Sequence, residues 1–292
     1  MGPEVPVDRL VLGAASLADE AAFVALSDLV KAVGKGPDLE YRVIGGIMVT
    51  LHTQRWRLGP LLYRQTGDAD LGVPPAGIRD AGILARLKEL GYKKVAGNRF
   101  ERPLDRPAES PAEDGPTRVA AIDVLVPAYT SRARDNVRVG ELQTTEVRGL
   151  ALALNRPPIQ VALRMMMLDG KTTLTAAVLL PDEVSALVLR AYAWHVRGED
   201  KDAVDLWRAL EIASAAGVTL ETITGEDAAR ASDLIGQAFL SPGTGLRQLT
   251  RARGLSQEAQ AQMKTRLKAL VTSVAALRPP PSGGAEPLRR TI

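Results

Sequence analysis

The sequence predicts an α/β (α+β) chain: a mixed sheet flanked by helices over residues 1–180, a helical region over residues 181–278 and a disordered tail over residues 279–292. Three observations carry that reading. Short apolar runs with strand character alternate with amphipathic helical runs as far as Leu180. From Pro181 to about Leu277 the spacing stays helical. The run Pro279-Pro280-Pro281-Ser282-Gly283-Gly284 then cannot hold regular structure.

Element by element, Leu10, Leu17, Ala21, Phe23, Leu26, Leu29 and Val30 recur at helical spacing and predict one helix over residues 7–32. Residues 39–44 predict a strand stopped by Gly45-Gly46, and residues 47–55 a helix. Residues 69–73, after the turn-like Thr66-Gly67, predict a second strand. Ile78, Ile83, Leu84, Leu87 and Leu90 share one side of a helix over residues 75–91, which Gly91 stops. A Pro-rich, acidic excursion over residues 102–117 precedes a buried strand at residues 119–126. Residues 137–180 read as a series of strands, with Met165-Met166-Met167 as strand core. In the helical region Trp194 and Trp207 fall on the buried sides of their helices, and core packing explains them.

Composition excludes several function classes. With 46% hydrophobic and 24% charged residues, the 292-residue chain is far too apolar to be disordered. The absence of cysteine excludes a disulfide framework, a thiolate zinc site and a cysteine nucleophile. His52 and His195 alone cannot make a histidine-rich metal site, so any metal is held by oxygen, which points to Mg2+ or Mn2+ rather than zinc. His52 reads as a structural hydrogen-bonder. No apolar run approaches the ~18–20 residues of a membrane span, and Met1-Gly2-Pro3-Glu4 lacks a signal-peptide pattern. The expectation is a cytoplasmic protein with no membrane partner.

The net charge of +3 conceals an asymmetry. Residues 242–292 carry nine Arg and Lys against Glu258 and Glu286, a net of +7, which leaves −4 on residues 1–241. Such a segment is either a solvated helix face with a loose tail or a surface for a polyanion, nucleic acid above all.

The chemistry-bearing residues cluster early. In a strand, residues i and i+2 share a side, so Asp68 and Asp70 present two carboxylates together. Adjacent anions among apolar neighbours repel and resist desolvation, a cost that a divalent cation removes. Asp123 lies mid-strand, where an Arg partner or a third place at the same cation would account for it. Gly45 and Gly46, between a strand and a helix, let backbone approach a phosphate at a helix N-terminus. Metals held by Asp68, Asp70 and Asp123 beside that turn suit nucleotidyl transfer, with Asp123 taking the proton of the attacking hydroxyl and pyrophosphate leaving. Further on, Asp202 and Asp205 share a helix face, and Asp205 either pairs with a basic residue such as Arg190 or Arg197 or serves the site.

Gly45-Gly46, Leu51-His52 and Arg64-Gln65-Thr66-Gly67-Asp68-Ala69-Asp70-Leu71, with Asp123 on a later strand, resemble the DNA polymerase beta-like nucleotidyltransferase superfamily. Within it the chain looks most like the AbiEii-type nucleotidyltransferases, which include the MenT toxins. Leu189-Arg190-Ala191-Tyr192-Ala193, followed by Lys201-Asp202-Ala203-Val204-Asp205-Leu206, is similar to their helical signature, and the resemblance spans about residues 41–210. It implies a nucleotidyltransferase-like mixed sheet with a C-terminal helical region completing the active site. It also implies Mg2+ or Mn2+ as cofactor and NTP as substrate. Asp68, Asp70, Asp123, Arg190 and Asp205 take the catalytic positions, and Gly45, Gly46, Arg64, Thr66 and Asp202 the nucleotide-binding ones. RNA, such as a tRNA 3′ end, is the acceptor that the resemblance suggests, in the setting of a toxin with a cognate antitoxin. Ile47 stands where the family carries Ser or Thr, and Arg190 where it carries Lys. A small-molecule or protein acceptor, or a nucleotidyltransferase-fold binding protein without chemistry, are the alternatives.

Overall fold

The computed structural model describes residues 7–34, 40–80, 82–104, 118–130, 132–222 and 225–275. The expected tail, Leu39 and most of the acidic excursion lie outside the described residues. The first half runs β1 (Asp8–Gly13), α1 (Leu17–Val33), β2 (Arg42–Ile44), α2 (Gly45–Arg55), β3 (Asp68–Gly72), α3 (Pro75–Asp80), α4 (Ile83–Glu89), β4 (Lys93–Ala96), β5 (Arg99–Pro103) and β6 (Val119–Pro127). The rest runs β7 (Val137–Val139), β8 (Leu142–Thr144), β9 (Glu146–Val147), α5 (Leu150–Asn155), β10 (Ile159–Met166), β11 (Thr173–Leu180), α6 (Glu183–Arg197), α7 (Asp200–Ala215), α8 (Glu226–Phe239), α9 (Thr244–Arg253) and α10 (Gln257–Val274). The chain is mixed α/β, and among the described residues beyond Leu180 there are helices but no strands.

Four local expectations change. Residues 7–32 form a strand and a helix: Asp8–Gly13 pairs in parallel with β10. The helix begins only where the Ser16 hydroxyl accepts from the Asp19 N–H at 3.2 Å. The helix expected over residues 75–91 is split, with Gly82 in the left-handed region (φ 63°) capping α4. The strand series over residues 137–180 contains a helix, α5, whose Leu150, Ala153 and Leu154 are buried. The hairpin β4–β5 had no sequence counterpart, because every residue of β4 is exposed and no apolar alternation marks it. Of the three consecutive methionines, Met165 is fully buried whereas Met166 is 38% exposed, as strand alternation requires.

The main sheet has the order β2-β3-β6-β5-β4, with β9 also on β6. Its β3–β6 pair is parallel, and β2–β3 and β5–β6 are antiparallel. A second sheet has the order β1-β10-β11. Helix α1 packs on β3, β6 and β11, and Phe23, Leu26 and Leu29 share one core with Ala69, Leu71, Ile122 and Val124. A separate core joins α6 through α10 around Trp194, Trp207, Leu234 and Leu270. A third cluster links Ile44, Met48 and Val49 to Leu150, Leu189 and Ile212, fastening α2 to α6 and α7. Among the described residues no helix is long and apolar enough to cross a membrane.

His52 shows how firmly α2 is seated. Its ring is fully buried, with Nε2 2.9 Å from the Pro181 carbonyl and Nδ1 3.2 Å from Arg55 Nη1. A carbonyl only accepts and a guanidinium only donates, so the ring is neutral with the proton on Nε2. Burial pushes its pKa down to about 4, against the opposing pull of Glu183. The unfolded ring, near 6.5, then binds a proton first. Stability is complete above pH ~6.5 and falls as pH drops toward 4, by at most ~3 kcal/mol. Urea unfolding between pH 7 and pH 4.5 should show this decline, and His52→Gln should flatten it.

Candidate active site

One row of residues across the sheet organises the site. Backbone register sets Ile44 opposite Asp70, Asp70 opposite Asp123, and Asp123 opposite Arg99. Registered neighbours project to the same side of a sheet, and Asp68, two residues before Asp70, joins them there. The alternate residues Ala69, Leu71, Ile122 and Val124 go into the core beneath α1. Carboxylate oxygens of Asp68, Asp70 and Asp123 accordingly lie within 4.8 Å of one another.

Helix α2 starts at the end of this row, directly after Ile44, and its two glycines are needed for different neighbours. Gly45 has φ 77°, and a Cβ there would overlap the Asp70 carboxylate. A Cβ on Gly46 would overlap Arg64 Nη2 and come within 3.0 Å of Thr66 Oγ1. Successive residues of one helix start thus abut an acidic group and a guanidinium. The Thr66 hydroxyl also donates to Asp68 Oδ1 at 3.1 Å.

The guanidinium belongs to a second cluster, built from α7 and α6. Asp205 is 1% exposed and accepts from Arg64 Nε at 2.8 Å and Arg64 Nη2 at 2.7 Å. Arg208 Nη1 donates to it at 3.0 Å, and Arg190 Nη1 lies 3.5 Å from it. Arg208 reaches on to the Thr50 hydroxyl of α2 at 3.1 Å. Burial would raise the Asp205 pKa, but the three guanidiniums outweigh it and hold the carboxyl below its ordinary value. Arg190 is buried, and its Nε has no hydrogen-bond partner among the described residues. Three cations around one anion leave this pocket with an excess of positive charge.

The acidic row has the opposite imbalance. Burial, then the charges of Asp68 and Asp123, push Asp70 up to about 7. Burial also raises Asp123, although Arg99 Nη1 donates to its Oδ2 at 2.9 Å. Such an all-oxygen trio short of positive charge fits a hard divalent cation, and the missing Cβ of Gly45 keeps the space for Asp70 beside it. Asp68, Asp70 and Asp123 are the residues that could hold Mg2+ or Mn2+.

Of the residues expected from sequence, Gly45, Gly46, Arg64, Thr66, Asp68, Asp70, Asp123, Arg190 and Asp205 come together here. Asp202 is held instead by Arg197, at 3.1 Å from its Nε, and takes no part in the Asp205 cluster. Ile47 points into the core shared with α1. Two residues escaped sequence reasoning. Arg208 stands three positions after Asp205, a helical spacing that could have marked it. Arg99 sits on a strand the sequence did not reveal.

No family model and no curated protein matches the chain. Among solved structures, the chain is similar to an antigenic nucleotidyltransferase-like protein from Paracoccidioides brasiliensis. Identity is 13%, coverage is 88% of this chain and 94% of that one, and the TM-score is 0.42.

Two substitutions probe this geometry. Gly45→Ala should displace Asp70 and abolish thermal stabilisation by Mn2+, whereas Gly59→Ala, facing open space, should leave it unchanged. Asp205→Asn strands three guanidiniums without their counterion and should lower the urea unfolding free energy by about 3–5 kcal/mol.

Proposed function

We propose that this chain is a Mg2+- or Mn2+-dependent nucleotidyltransferase, moving a nucleoside monophosphate from an NTP to a hydroxyl and releasing pyrophosphate. One observation carries the reading. The consecutive glycines seat Asp70 of the carboxylate trio and Arg64 of the guanidinium trio at the same helix start, a candidate cation site next to a candidate anion site. An NTP with its divalent cation has that charge pattern. In this reading residues 1–180 form a nucleotidyltransferase-like domain and residues 181–278 a helical domain completing the site with Arg190 and Asp205.

Shared among Asp68, Asp70 and Asp123, divalent cations would supply charge neutralisation at the attacking and leaving oxygens. Arg64 and Arg190 hold phosphate oxygens, and Asp205 orients both. Gly46 lets the backbone approach phosphate at the N-terminus of α2. Thr66 supplies beside Gly46 the hydroxyl that Ile47 cannot. Asp123 takes the proton of the acceptor hydroxyl. Asp202 contributes at one remove, by holding Arg197.

For the acceptor, RNA such as a tRNA 3′ end is favoured by the basic helices α9 and α10. They present Arg247, Lys264 and Lys268 to solvent. Arg253, at the end of α9, donates to the Tyr63 carbonyl at 3.3 Å, so the basic surface adjoins the segment leading into Thr66 and Asp68. A toxin role with a cognate antitoxin rests on the family resemblance alone.

The test is incubation with each labelled NTP, Mg2+ and total RNA. Wild type should label an RNA species and Asp70→Ala should reduce labelling by at least ~10³-fold. Label on a small molecule or protein would keep the chemistry and change the acceptor, and identical wild-type and Asp70→Ala behaviour would refute the function. RNA affinity should also fall steeply with salt; a flat log–log slope would remove the basic helices from the proposal.

A further inference from the structure

Asp123 meets the other two carboxylates with both of its oxygens already engaged. Oδ2 accepts from Arg99 Nη1 at 2.9 Å, and Oδ1 from Asn98 Nδ2 at 3.2 Å. The same Arg99 Nη1 stands 3.8 Å from Asp68 Oδ2. Asp70 takes no part in this network. The trio is therefore unequal: Asp70 and one side of Asp68 face the glycine turn, while Asp123 and the other side of Asp68 face a fixed guanidinium.

Arg99 also has a second carboxylate to go to. Glu101, two residues on along β5 and on the same side, accepts from Arg99 Nε at 2.7 Å. The Arg99 side chain is 35% exposed and its Nε already pairs with Glu101, so its Nη end has solvent and a second carboxylate beside it.

We propose that Arg99 is a built-in counterion that competes with a divalent cation for Asp123, and that Glu101 is the seat receiving it when a second cation binds. This rests on the reading of Asp68, Asp70 and Asp123 as cation ligands. It makes cation binding sequential. A tighter position uses Asp70 and Asp68. A weaker one needs Asp123 and forms only as Arg99 leaves. Removing Arg99 should strengthen the weaker position, and removing Glu101 should weaken it, because Arg99 then has only Asp123 and Asp68 to pair with. An ion pair that leaves the cation position untouched would move neither class.

The experiment is Mn2+ titration of the full chain, with free Mn2+ read by electron paramagnetic resonance and folding checked by circular dichroism. Wild type should bind in two classes. Arg99→Gln should tighten the weaker class about tenfold, Arg99→Lys should tighten it less, and Glu101→Gln should loosen it about threefold. A weaker class that Arg99→Gln leaves unchanged or abolishes in a folded protein, or that Glu101→Gln tightens, overturns the counterion proposal while leaving the cation reading intact. If wild type binds no more Mn2+ than Asp70→Ala, the cation reading itself fails and the proposal with it.

Discussion

The parallel register of β3 on β6 sets Asp70 beside Asp123, and the rest of the site follows from it. Like charges directly opposite on neighbouring strands destabilise a sheet, so this register is not chosen by its polar face. It is held from the other side. Ala69 and Leu71 on β3, with Ile122 and Val124 on β6, are buried under α1, and a one-residue slip of β3 would turn Ala69 and Leu71 outward. The hydrophobic core thus imposes a geometry that electrostatics alone would refuse. Arg99, the last member of the same row, relieves part of the repulsion.

Asp205 plays the complementary part. A buried carboxylate needs several donors, and this one takes them from β3's leading segment, from its own helix and from α6. Because its partners come from different parts of the chain, it ties α7 to the strand that carries the acidic pair. The apolar cluster of Met48, Val49, Leu189 and Ile212 fixes the same relation between α2, α6 and α7. Position is thus set twice, once by packing and once by charge, which suits a site whose parts lie more than 150 residues apart.

Much of this was legible in the sequence, for identifiable reasons. Asp68 and Asp70 could be placed on one side of a strand because strand periodicity is strict. Asp123 could be singled out because a charge inside an apolar run needs a partner. What the sequence did not show was which partner: Arg99 pairs with Asp123, and Asp68 and Asp70 stand where all three could hold a shared cation. Arg99 was invisible because β4–β5 is an edge hairpin without apolar alternation. Asp8–Gly13 was absorbed into a helix because Leu10 and Leu17 happen to fit a period of 3.6. The choice between Arg190 and Arg197 as partner of Asp205 was decided by packing: Arg197, near the end of α6, reaches Asp202 instead.

The distribution of unbalanced charge argues that both clusters serve something outside the chain. Among the described residues, the acidic row forms ion pairs with one guanidinium, Arg99, while Arg190 and Arg197 act on Asp70 from farther away; around Asp205, three guanidiniums meet one carboxylate. Left to minimise its own energy, a fold would pair the surplus charges with each other, since they flank the same two glycines. The start of α2 leaves them without a direct ion pair, with Asp70 against Gly45 and Arg64 against Gly46, while Arg190 attracts Asp70 from a distance. Holding opposite excesses side by side without a direct ion pair costs stability, and a side chain at Gly45 or Gly46 would push against Asp70 or Arg64. A ligand carrying positive charge at one end and negative charge at the other would satisfy both at once.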